Sequence, residues 1–131
     1  DSLIYHGDYT IQGGVQGLEK LVRDNPDMTA VFVTNYEMTM GAVIGLNELG
    51  IQMPTQISMI GFDNLQFARA CNPKLTIVSQ PTQQIARETA RIMLERLECT
   101  EADREQQAER MRIIEKLETE IIMGRSVQRK K

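Results

Sequence analysis

The chain has no tryptophan, three tyrosines, three phenylalanines, a single histidine, two cysteines and no surplus of positive charge. Each shortage excludes a class of function. With His6 alone, no catalytic arrangement needing more than one imidazole and no histidine-rich metal cage can be drawn, and a lone histidine reads as a surface residue. Cys71 and Cys99 lack the CxxC or Cys/His spacing of a metal site and are too few for a disulfide framework, so reduced thiols in a cytoplasmic protein are expected. A formal charge of −3 and a pI near 5.2 give no basic footprint for nucleic acid. The one basic cluster, Arg129 to Lys131, reads as a solvated tail. No apolar run approaches the roughly 18 residues of a membrane span, and the opening DSLIYHGDYT lacks the basic-then-apolar order of a signal peptide. There is no internal repeat, low-complexity segment or GxGxxG, and Gly13-Gly14 form no phosphate loop. Asp8 and Asp63 are the only carboxylates that suggest a glycosidase pair, and neither has an apolar setting to raise its pKa, so no enzyme is expected. Met38, Met40, Met53, Met59 and Met93 fall at core periodicities and imply no cofactor.

What is present is an alternation of strand and helix signals. The 131 residues suit one domain, which at this length buries about two-thirds of its unfolded surface. Leu3 to Tyr5 reads as a short strand entering a loop. From Thr10, Ile11, Val15, Leu18, Leu21 and Val22 recur at helical spacing, although each of Gly13, Gly14 and Gly17 weakens a helix by roughly 1 kcal/mol against alanine. That helix should end near Asn25-Pro26. Ala30 to Thr34 is a continuous apolar run rich in β-branched residues, expected to be a strand covered on both faces. The next helix, with Met38, Met40, Ala42, Val43, Leu46 and Leu49, is apolar around much of its circumference and stops at Gly50. Ile57 to Phe62 is a second buried strand, Leu65 to Ala68 a helical turn ending before Asn72-Pro73, and Thr76 to Ser79 a third strand. Thr82 is expected to cap a helix whose Ile85, Ala86, Thr89, Ala90, Met93, Leu94 and Leu97 form one face.

The charged stretch from Glu101 to Arg112 either continues that helix as one rod or follows a break near Cys99-Thr100. Beyond it, Ile113, Leu117, Thr119, Ile121 and Met123 alternate at strand period. Strands alternating with helices imply an α/β fold, a parallel sheet flanked by helices. Three strands then end on Asn35, Asp63 and Gln80. Ligands of such sheets bind outside the carboxyl ends of the strands, so this set suits a polar ligand rich in hydroxyls, a sugar.

NYEMTMGAVIGLNELGIQMPTQISMIGFDN followed by PKLTIVSQP resembles the effector-binding region of LacI/GalR-type sugar-responsive repressors, whose pattern is roughly ND..A.G....L...G...P.DIS..GFD, then P.LT.V.QP. LETEIIMGRSV resembles the closing strand and the R-S-[TV] ending of the same family, and the likeness runs from Gly7 to about Ser126. It implies a type I periplasmic-binding-protein-like fold, incomplete in this chain. By that likeness residues 1–75 lie mainly in the C-terminal subdomain, 76–98 cross the hinge into the other, and 112–126 return as the closing strand. The helix-turn-helix, the hinge helix and most of the first subdomain would lie outside this chain, so operator DNA would be reached only through them.

The resemblance also assigns roles. Tyr9 stands where relatives carry an aromatic that stacks on a sugar ring, the alternative being packing at a helix entrance. Asn35 matches the asparagine that reaches the ligand, and it also suits a helix N-cap. Asp63 would accept charge-assisted bonds from two adjacent hydroxyls, or else cap a turn. Gln80 either contacts ligand or hydrogen-bonds at the hinge. None of these is basic, which favours a neutral sugar over a phosphorylated one. Relatives are dimers, which makes Met40, Val43, Ile44, Asn47 and Cys71 the expected homodimer face. Two departures stand out: Tyr36 replaces the aspartate that usually follows the asparagine, which would reshape specificity or alter the helix start, and the charged insert is longer than usual. The competing readings are a periplasmic sugar-binding protein of a transport system and a dimerisation fragment that binds no ligand.

Overall fold

The computed structural model of the chain describes residues 2–98 and 115–129. The expectations for Cys99, for the charged stretch to Arg112, for Ile113 and for most of the basic tail therefore lie outside the described residues. Two compact units are formed, residues 1–79 with 121–131, and residues 80–120.

In the first unit, helix α1 (Ile11–Asp24) starts where its first orphan N–H groups find a partner: the Thr10 hydroxyl accepts from Gly13 N–H at 2.9 Å. It ends at Asn25, whose N–H and side-chain amide both donate to the Leu21 carbonyl. Helix α2 (Tyr36–Glu48) is capped in the same way by Asn35 and closed by Gly50 at φ 65°, with Ile51 N–H donating to the Leu46 carbonyl at 2.9 Å. The two helices meet backbone to backbone. A Cβ on Gly41 would lie 2.8 Å from the Gly14 Cα and 2.9 Å from the Val15 nitrogen, and one on Gly14 would lie 2.8 Å from the Met38 Cα. The glycines that weaken α1 as an isolated helix are thus what permits this crossing.

Strands β1 (Ala30–Phe32), β2 (Ser58–Phe62) and β3 (Thr76–Ser79) pair in parallel, with Ala30 opposite Ser58 and Ile60 opposite Thr76, and β4 (Glu120–Ile122) completes the order β1-β2-β3-β4. Met59 and Ile77, both without solvent exposure, form the core with Leu18 of α1, Ala42 and Leu46 of α2, Ala68 of α3 (Leu65–Ala70), Ile57 and Leu75. Each side chain of this size contributes about 1.5–3 kcal/mol by burial. The base of the β2–β3 pair is closed by Ser126. Its carbonyl accepts from Met59 N–H at 2.8 Å, while its buried hydroxyl donates to the Met59 carbonyl at 2.6 Å and accepts from Thr76 N–H at 2.7 Å.

Four expectations are corrected. Leu3 to Tyr5 is not a strand, because a strand needs a ladder and the run pairs with none; Leu3 and Ile4 are exposed, and Tyr5 packs against Gly17. Strand β1 is the edge of the sheet and is covered on one face only, leaving Phe32 54% exposed. In the second unit, α4 (Thr82–Glu98) includes Thr82 in its first turn; the carbonyl that accepts the first helical bond, from Ile85 N–H at 2.9 Å, belongs to Pro81. Met93 is no core residue, being 59% exposed together with Leu94 and Leu97 along α4. In that unit Arg91 donates to Glu88 and Glu95 at 2.7 Å and to Glu115 at 2.5 Å.

Candidate functional site

Parallel strands deliver their carboxyl ends to one edge, so the loop after β1, carrying Asn35, and the loop after β2, carrying Asp63, emerge together in the first unit. The Gly14–Gly41 crossing brings the start of α1, with Asp8, Tyr9 and Thr10, beside the start of α2: a Cβ on Gly7 would overlap the Met38 thioether. Two helix N-termini and one strand end thus converge on this edge.

Asn35 is the N-cap of α2. Its Oδ1 accepts from Met38 N–H at 3.1 Å as the cap of α2, while its amide nitrogen has no protein partner among the described residues and presents two donors at the edge. Asp63 ends β2, its N–H donating to the Val78 carbonyl at 2.8 Å, and its backbone lies in the left-handed region at φ 55°. Asn64 follows at φ 47° and caps α3, its Oδ1 accepting from Phe67 N–H at 2.9 Å. Tyr9 has φ 63° and is 72% exposed, so its ring is presented rather than packed at the helix entrance. The left-handed conformation costs a residue with a Cβ roughly 1–2 kcal/mol, and among the described residues every non-glycine position that adopts it lies in these two loops.

Asp8, behind Tyr9, accepts from both the hydroxyl and the N–H of Thr10 at 2.8 and 3.1 Å, and these two bonds hold its carboxyl below the usual carboxylate range. Gln80 is not part of this first-unit group: it opens the second unit, where its carbonyl accepts from Thr82 N–H at 2.9 Å. Tyr36 does not stand free as a stacking platform. It is half-buried, with its ring edge-to-face on Phe67 at 6.2 Å between centroids.

Thr39 is the residue that sequence reading missed. It is 1% exposed; its hydroxyl donates to the Asn35 carbonyl at 2.6 Å and accepts from Phe62 N–H at 3.3 Å. The available signal was its place in the pattern ND..A.G, where it puts a hydroxyl at the alanine position.

A separate cavity of about 680 Å³ opens at the opposite end of the strands, lined by Val43, Leu46 and Asn47 of α2 and by the segments Gly50–Met53 and Ala70–Pro73 that lead into β2 and β3. Burial there pushes the Cys71 thiol up from its ordinary value. Among the described residues no group of three or more histidine, cysteine or acidic side chains could hold a metal ion.

The parallel pairing of β1, β2 and β3, with amide and carboxylate side chains at their carboxyl edge, defines an α/β domain. The chain belongs to the periplasmic binding protein-like domain family, which residues 3–127 match, in the form found in LacI-type regulators. It is 37% identical over 93 residues to catabolite control protein A of Priestia megaterium, an alignment covering 71% of this chain and 28% of that protein. It superimposes on the transcriptional regulator CelR in its cellobiose complex with a TM-score of 0.75 and 28% identity, covering 96% of this chain and 36% of that one. A LacI family regulator from Enterococcus faecalis with bound ribose gives 0.73 and 27%, over 92% of this chain and 42% of that one. The chain spans about 28% of the length of the curated relatives it matches.

Proposed function

We infer that the chain is the effector-sensing and dimerisation portion of a sugar-responsive bacterial transcriptional repressor. The observation that carries this reading is the juxtaposition of Asn35 and Asp63 at one sheet edge, with exposed Tyr9 on the adjoining helix start. A ring face on Tyr9 leaves sugar hydroxyls free for the Asn35 amide and the Asp63 carboxylate. Gln80, which opens the second unit, remains the fourth candidate, as a ligand contact or a hinge hydrogen bond. The ligand is a neutral sugar: none of the four residues is basic, and similar regulators hold cellobiose and ribose.

Effector binding closes two subdomains, and the closed state differs from the open one in operator affinity, so the ligand acts by its differential affinity for the two states. Operator DNA is contacted by another part of a longer protein, in keeping with the formal charge of −3 here. Met40, Val43, Ile44, Asn47 and Cys71 form the homodimer face, and the protein works in the cytoplasm without catalysis. Among the described residues no helix is long and apolar enough to cross a membrane. Likeness to repressors favours this reading over a transport protein.

Calorimetric titration of the full-length protein and its Asp63→Ala variant against neutral sugars and sugar phosphates tests the site. Binding of a neutral sugar that weakens at least tenfold in the variant is expected; tight binding untouched by the substitution refutes the assignment.

A further inference from the structure

The two side chains on the first turns of α2 that depart from the family pattern, Tyr36 and Thr39, both reach across to the segment that carries Asp63. The Thr39 hydroxyl joins the Asn35 carbonyl to the Phe62 N–H, and Phe62 immediately precedes Asp63. The Thr39 methyl lies where a Cβ on Gly61 would collide with it, so β2 and α2 are in direct contact at this level. Tyr36 closes the same gap on the other side of Asp63, its ring edge-to-face on Phe67 of α3, at 73° between planes. The residues between, Asp63 and Asn64, are held left-handed, a conformation that persists where its surroundings over-determine it. An alanine and an aspartate at positions 39 and 36 would provide neither the hydroxyl bridge nor the ring contact.

We propose that Thr39 and Tyr36 are positioning residues which fix the Asp63 carboxylate relative to the Asn35 amide, and so set which pair of sugar hydroxyls the edge accepts. This rests on the sugar-binding reading above. The bridge is a part-buried polar contact made by a residue that is itself 1% exposed, and the loss of its hydroxyl is felt by both partners. Thr39 touches no ligand in this arrangement and acts through the two groups it connects.

Four variants of the full-length protein test it: Thr39→Val, which keeps the shape and removes the hydroxyl; Thr39→Ser, which restores it; Tyr36→Leu; and Asp63→Ala. Two readouts are taken, amide hydrogen exchange at Phe62 without ligand and calorimetric affinity for cellobiose and ribose, with thermal melting as the check on folding. Thr39→Val is expected to speed Phe62 exchange and weaken the preferred sugar by about tenfold. Thr39→Ser should recover most of both, Tyr36→Leu should narrow the gap between the two sugars, and Asp63→Ala should weaken binding at least tenfold. If Asp63→Ala weakens binding to that extent while folded Thr39→Val binds as the wild type does, the positioning role is wrong and the site reading stands. If neither sugar binds, or Asp63→Ala changes nothing, the site reading fails and the positioning role with it. Unchanged Phe62 exchange in Thr39→Val refutes the bridge itself.

Discussion

Tyr9 combines an unfavourable backbone with an exposed ring. Its φ of 63° belongs to glycine, yet the position holds a large ring that is mostly in water. Neither the backbone conformation nor the exposure stabilises the fold. Tyr9→Gly is therefore expected to raise stability by about 1 kcal/mol and to weaken the sugar several-fold, the two changes having opposite sign. Thermal melting and calorimetry on the same preparation check this, and a fall in melting temperature would mean the ring supports the fold. Asn35 and Asp63 were legible in the sequence because residues that end parallel strands must share an edge, whatever the details of the loops. The left-handed backbone at Tyr9 and Asp63 was not, since neither residue type announces it, and the Thr39 bridge was hidden because its partners are a carbonyl and an amide of distant backbone.

At the scale of elements, the helix boundaries were legible where chemistry ends a helix: Asn35 as a cap, Asn25 and Gly50 as stops, with Thr10 read only as the start of helical spacing. Burial was legible for β2 and misjudged for β1, because a β-branched run says that a strand forms and not whether it lies inside or at the edge. The closing segment was half legible. Alternation from Ile113 suggests a long strand, yet among the described residues only Glu120–Ile122 is one, and the main fastening comes from the hydroxyl of Ser126 in the Arg125-Ser126-Val127 ending. Ser126→Ala would leave Thr76 N–H and the Met59 carbonyl without that partner in a fully buried place. The expected cost is about 1–3 kcal/mol, read from chemical denaturation, with Ser126→Gly costing at least as much. Denaturation midpoints indistinguishable from the wild type would show that the Ser126 backbone bond to Met59 suffices.

For the whole molecule, the remaining question is what covers α2. Its Thr39, Ala42 and Leu46 face the core and Gly41 faces α1, which leaves Ile44 39% exposed beside half-buried Met40 and Val43. An apolar strip next to the 680 Å³ cavity suits a second copy of the chain better than water. Ile44→Glu places a charge on that strip and leaves the core untouched. The full-length protein is expected to sediment as a dimer and the variant as a monomer, at a concentration where sugar affinity per chain is retained; a variant that remains dimeric would move the interface elsewhere.

The first unit is assembled from two stretches of chain, and Ser126 is the point at which the second rejoins the first, 67 positions beyond its partner Met59. In sequence, the second unit lies between Ser79 and Ile121. Because the entropy of closing a span grows only with the logarithm of its length, doubling the number of residues between the two stretches costs about 0.6 kcal/mol. A change in the number of residues between the two stretches is therefore expected to leave the stability of the first unit nearly unchanged.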